Sequence, residues 1–167
     1  MKDKLTAYAT KLGRWLLALL LIQIRLRVFK EYTIAPIGKV HDVIHTGYPQ
    51  LGVFQWKSLD GKYRVCTQKM FERIIKWDWV NSRKYQLDWF DCDDYAFTLM
   101  GRVRALFGLN CIGVVIDNSI NSNHAYCVVI LTDSEGELYA KLLEPQNDKW
   151  VVAGQPPYEM RKGTVII

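Results

Sequence analysis

The sequence predicts an α+β fold: a central antiparallel sheet with one helix packed on it, preceded by a helical arm. Three observations predict it. Residues 92–107 carry apolar side chains at three- and four-residue spacing, as an amphipathic helix requires. Three strand-like runs follow at 111–117, 124–131 and 138–143, joined by turn-rich segments that suit antiparallel neighbours. The charge is concentrated at the N-terminus, which separates an arm at 1–34 from a domain at 35–167.

Length and composition set the frame. The chain has 167 residues, half of them hydrophobic and six of them tryptophan, so it can bury a core and is not a disordered protein. The net charge is +5. Lys2, Lys4, Lys11, Arg14, Arg25, Arg27 and Lys30 face only Asp3 and Glu31 within the arm, and the rest of the chain is balanced. A nucleic-acid groove in the body is therefore not expected. The arm holds an apolar run from Trp15 to Ile24, about half of what a bilayer-spanning helix needs. Lys11 and Arg14 precede it as in a signal peptide, but Arg25 and Arg27 follow in place of a small-residue cleavage site. The arm is expected to dock on a protein partner or on a membrane surface. A cytoplasmic or virion-associated protein is expected before a secreted one.

Residues 32–65 read as an irregular entry with short strands, punctuated by Pro36, Gly38, Gly47, Pro49, Gly52 and Gly61. Asp60-Gly61, between Val53–Trp56 and Tyr63–Val65, suggests a hairpin. Thr67 is placed to cap a helix over 68–79, with Met70, Phe71, Ile74, Ile75 and Trp77 on its apolar stripe. A loop runs from Asn81 to Phe90. In the next helix, Asp91, Asp93 and Asp94 suit the first turn, Arg102 and Arg104 the end, and Gly108 the stop. Residues 164–167 suggest an edge strand. No internal repeat is visible.

Asp91-Cys92-Asp93-Asp94-Tyr95-Ala96, His124 and Glu144 carry the chemistry. Cys92 starts a helix, where unpaired N–H groups favour a thiolate. His124 starts the second strand of the sheet packed on that helix. Glu144 ends the third strand, where its carboxylate can hold the imidazole. Pro145 stops that strand. Thiol, imidazole and carboxylate are the groups that make and use a sulfur nucleophile, so the three are the expected catalytic residues.

In Asp91–Ala96, His124-Ala125-Tyr126 and Glu144-Pro145-Gln146, the chain resembles the transglutaminase-like and papain-like cysteine peptidase superfamily, the bacterial and phage-borne proteinases above all. The resemblance covers residues 67–146. It implies a cysteine amide hydrolase or acyl-transferase acting on a protein or peptide. Glu144 stands where that superfamily more often has Asp, as in the peptidase domains attached to some fungal lectins, which require calcium. Gln86 resembles the glutamine that papain-like enzymes place before their cysteine as an oxyanion-hole donor. The alternative is a non-catalytic assembly protein, such as a virion or tail component, with the arm as its docking element.

Other groups stand beside these. Asp91, Asp93 and Asp94 offer oxygens to a hard cation such as calcium, but first-turn capping explains them, with one acid paired to Arg83 or Lys84, and no metal or other cofactor is expected. Asp117 and Asp148 are alternative carboxylates that read better as turn residues. On a helix His41 and His45 would share one face as zinc ligands do, but no third ligand is evident and Gly38 and Gly47 leave room for only two turns. Trp77, Trp79, Trp89 and Trp150 suit a groove or the core rim. Cys66, Cys92, Cys111 and Cys127 lack the spacing of a zinc knuckle or disulfide framework and should be reduced.

Overall fold

The computed structural model describes residues 2–49 and 52–167, so Met1 of the arm lies outside the described residues. The chain opens with α1 (Lys2–Glu31), then β1 (Thr33–Pro36), α2 (Ile37–Gly47), β2 (Val53–Lys57), β3 (Lys62–Thr67) and α3 (Gln68–Trp77). After a 3-10 turn at Val80–Ser82 come α4 (Cys92–Phe107), β4 (Ile112–Asp117), β5 (His124–Thr132), β6 (Leu138–Glu144), β7 (Lys149–Val151) and β8 (Lys162–Ile166).

The sheet is mixed, which corrects the expected antiparallel sheet. Its eight strands run β1-β3-β5-β4-β8-β2, with β6 on β5 and β7 on β6. β3 lies parallel to β5, and β2 parallel to β8. Parallel neighbours need a long crossover. The route from β3 through α3 and α4 supplies one. The hairpin expected at Asp60-Gly61 does not form, because that turn is tied elsewhere. Ile37 N–H donates to Gly61 O and Leu59 N–H to Ile167 O. β2 therefore pairs with the C-terminal strand. For the same reason β8 is an interior strand between β4 and β2, not an edge. Gly163 and Gly113 let β4 and β8 meet: a Cβ at either would fall 2.0 Å from Ile116 O or 2.5 Å from Ile166 O.

β5 is the centre of the core. Every residue from Ala125 to Thr132 is buried, so the strand reads as one apolar run rather than an alternation. α4 covers β4 and β5 with Tyr95, Ala96, Leu99, Val103 and Phe107, all buried. Each large apolar side chain sealed in this way contributes about 1.5–3 kcal/mol. The ends of α4 are set locally. A capping box joins Asp91 and Asp94, and Gly108 closes the helix in the left-handed region at φ 66°. α3 starts where Thr67 Oγ1 accepts from Met70 N–H at 3.3 Å and stops at Trp77, earlier than expected. Asp78 is instead buried and paired with Arg102 at 2.5 Å.

α1 contrasts with this. It is about 45 Å long at 1.5 Å per residue, yet only Ile24 and Val28 are buried among its described side chains. Leu12, Trp15, Leu16, Leu17, Leu19, Leu20, Ile22 and Leu26 are exposed. It touches the body along α3 and α4. No helix among the described residues is long and apolar enough to cross a membrane.

Candidate functional site

The first turn of α4, the start of β5 and the end of β6 meet at one edge of the sheet. Their placement follows from register. β5 pairs antiparallel with β6, Cys127 opposite Leu143, so the start of β5 lies beside the end of β6. His124 Nε2 sits 2.7 Å from Glu144 Oε2. α4 packs across β5, which brings Cys92 within hydrogen-bond reach of His124. Cys92 is half-buried, the His124 side chain is 15% exposed and Glu144 is 5% exposed, so the pair is shielded from bulk water while the thiol stays reachable.

The electrostatics follow from those contacts. Burial pulls the His124 pKa down, but hydrogen bonds to Cys92 and Glu144 and the Glu144 charge outweigh it and push it up to about 9. Burial raises Glu144, and His124, the Gln146 N–H at 3.1 Å and the Tyr158 hydroxyl at 2.9 Å hold it below the usual carboxylate range. An imidazolium and a carboxylate in contact are what both shifts describe. The Glu144 oxygens are fully employed, as a buried carboxylate requires.

Tyr158 is the site residue that sequence reasoning missed. Its hydroxyl donates to Glu144 Oε2, and its ring lies 5.6 Å from that of His124. It stands after the cis Pro156-Pro157 bond, fourteen residues past Glu144, with no periodicity to single it out. The Pro-Pro-Tyr sequence was the only available signal.

Gln86 falls elsewhere in character. Its backbone closes a bridge with Phe90, its side chain is exposed, and among the described residues that side chain makes no hydrogen bond to Cys92 or His124. Neither Arg83 nor Lys84 pairs with the three acids among the described residues. Arg83 lies over the rings of Trp79 and Phe90 at 5.8 and 5.0 Å. Asp91 and Asp93 instead share a hydrogen bond that lowers the first and raises the second. Ligand atoms of Asp91, Cys92 and Asp93 lie within 4.8 Å of one another, whereas Asp94 is committed to the cap.

The remaining candidates are structural. Asp117 is fully buried and accepts from Ser119, from the Tyr126 hydroxyl at 3.0 Å and from Met160 N–H at 2.8 Å. Asp148 accepts from Asn81 at 2.7 Å, with its pKa raised to about 6 by burial and by Asp78. The rings of His41 and His45 pack on Trp56 at 4.9 and 5.0 Å, and His41 Nε2 is 3.0 Å from Ser58 Oγ, so these histidines are not a zinc pair. All four cysteines are free. Trp77 packs edge-on against Phe107 and Trp150 packs on Phe71, while Trp79 and Trp89 stand exposed on the loop before α4.

Among the solved structures that this chain resembles is a lectin. Polyporus squamosus lectin bound to the human-type influenza-binding epitope Neu5Acα2-6Galβ1-4GlcNAc is 21% identical, with a TM-score of 0.62 over 80% of this chain and 49% of that one. A PSL1a–E64 complex is 20% identical, with a TM-score of 0.63 over 80% of this chain and 51% of that one. Residues 32–163 match the ricin-type beta-trefoil lectin C-terminal domain, and the chain belongs to that family. It spans about half the length of these two structures. No curated protein matches it in sequence.

These findings correct the assignment to the transglutaminase-like and papain-like cysteine peptidases. The fold class expected from that resemblance goes with it, since a lectin is among the neighbours and the sheet is mixed. So do the expected hydrolase or acyl-transferase activity, the protein or peptide substrate with the arm's docking partner, and the virion or tail alternative. The physical reason is simple. A thiol, an imidazole and a carboxylate in contact define a polar cluster, and local spacing of such residues does not specify a reaction or a family.

Proposed function

We propose that the chain is a glycan-recognising domain. Its ligand-facing surface would be the 79–91 loop, with the Cys92–His124–Glu144 cluster beside it. One observation carries the placement. Trp89 is 84% exposed, and Trp79 and Tyr85 stand out on the same loop. Large aromatics grouped in water on one loop mark an interaction surface. An indole face offers apolar surface to the C–H face of a sugar ring, and Asp88, Asp91 and Asp93 offer acceptors to its hydroxyls.

The loop balances Arg83 and Lys84 against Asp88 and Asp91, and Asp93 beside it tips the surface toward a neutral sugar. Carboxylates repel a sialate carboxylate at close range, and Arg83 is occupied by the Trp79 and Phe90 rings. Membership of a lectin family and the sugar epitope in the Polyporus squamosus lectin support the reading. Calorimetric titration with Galβ1-4GlcNAc and with its sialylated form tests it. The neutral disaccharide should bind more tightly, and Trp89→Ala should weaken it at least about fivefold, roughly 1 kcal/mol. Absence of binding by both sugars to the folded protein would overturn the proposal.

A second reading concerns the cluster itself, and the raised His124 pKa favours it. Cys92 is within hydrogen-bond reach of His124 and, unlike the other three cysteines, is not buried, so it would be a ligand-contacting thiol open to soft electrophiles. His124 holds the proton, and Glu144 and Tyr158 hold the ring. Amide hydrolysis is no part of this reading. Iodoacetamide should label Cys92 well before buried Cys66, Cys111 or Cys127, and E64, the ligand named for the PSL1a complex, should protect it. Uniform labelling of all four, or none at Cys92, would remove the thiol from the site.

A further inference from the structure

A cavity lies away from the Cys92 cluster, in the crevice between α1 and α3. It measures about 360 Å³, within the usual range of small-molecule sites. Leu20, Ile24, Met70 and Trp77 give it an apolar lining, and Gln23, Arg27, Arg73 and Lys76 complete it. No Asp or Glu lines it. Among the described residues, none of Arg27, Arg73 and Lys76 forms an ion pair. The Trp77 indole N–H is buried with no acceptor.

Three cations lining an apolar crevice cost free energy to leave unbalanced, because like charges repel and Glu72, beside Lys76, offsets them only in part. A buried N–H without an acceptor adds to that cost. One ligand chemistry answers both features: a chain of methylenes for the apolar lining, ending in an anionic oxygen group for the cations.

We propose that this crevice binds a single-chain fatty-acid carboxylate, its chain along Leu20, Ile24, Met70 and Trp77 and its carboxylate among Arg27, Arg73 and Lys76. The contact is non-covalent and places a ligand where the arm meets the body. α1 lies outside the matched family region of 32–163, so the site combines an element outside that region with residues of α3 inside it.

Calorimetry on the full chain with dodecanoate, below its micelle concentration, tests the proposal. One dodecanoate should bind per chain. Reversing two cations (Arg27→Glu with Arg73→Glu) should weaken it about tenfold or more, near 1.4 kcal/mol. Leu20→Trp, at an exposed position, should block it sterically without disturbing the core. Dodecyltrimethylammonium, with the same chain and the opposite charge, should not compete. No binding, several molecules per chain, unchanged affinity in the charge-reversed variant, or equal binding of the cationic amphiphile would each overturn the assignment. Circular dichroism on each variant confirms that a loss is not a loss of fold.

Discussion

The body and the arm solve the problem of apolar surface in opposite ways. In the body, β5 is sealed from Ala125 to Thr132, and its polar termini are satisfied by designed partners such as Asp117 with Tyr126 and His124 with Glu144. In α1, Ile24 and Val28 alone are buried among the described side chains, and eight large apolar residues stand in solvent. Apolar content is therefore a poor guide to burial: position in a layered fold decides it.

Substitutions can break that contrast. Leu142→Ala, in the fully buried wall of β6, should cost about 2–5 kcal/mol, read as a lowered midpoint in urea denaturation. A smaller effect comes from the polar pair. The folded His124 pKa lies above its ordinary value of 6.5, so its contribution is complete below about pH 6.5 and is lost as pH rises through about 9. At most about 3 kcal/mol is involved. Glu144, lowered in the fold, adds stability that is lost as pH falls through the carboxylate range. The stability gap between the parent and His124→Gln should therefore narrow from pH 6 to pH 10. A gap that widens with pH would reverse the assigned charge state. Thr67→Ala removes the acceptor at the start of α3 and should cost about 1 kcal/mol by thermal melting. Smallest of all, Leu16→Ser on exposed α1 should stay within about 0.5 kcal/mol in the same assay. A large loss there would show that the arm is packed in solution and would erase the contrast.

What the chain revealed before its structure divides along the same line. α4 was legible to the residue, because Asp91 is a local start signal, Gly108 a local stop signal, and the helix period is unbroken between them. The neighbourhood of Cys92, His124 and Glu144 was legible from strand order, since consecutive antiparallel strands bring such ends together. Pairings between distant segments were not. Nothing near Val53–Lys57 points to Lys162–Ile166, and the local turn at Asp60-Gly61 pointed to the wrong partner. α2 was hidden because Gly38 and Gly47 read as breakers, yet its buried Val40 and Ile44 hold it to the sheet. Tyr158 enters the site by tertiary placement alone. The family lay beyond local motifs too, because three polar residues at an edge recur on unrelated folds.

The central claim, a glycan-recognising surface at the 79–91 loop, is tested most directly by titrating Galβ1-4GlcNAc into the full chain while following tryptophan indole N–H signals by NMR. Saturable shifts are expected at Trp89 and Trp79, with the half-buried Trp150, packed on Phe71, unmoved and the shifts absent in Trp89→Ala. Saturating sugar that leaves every indole signal in place would contradict it.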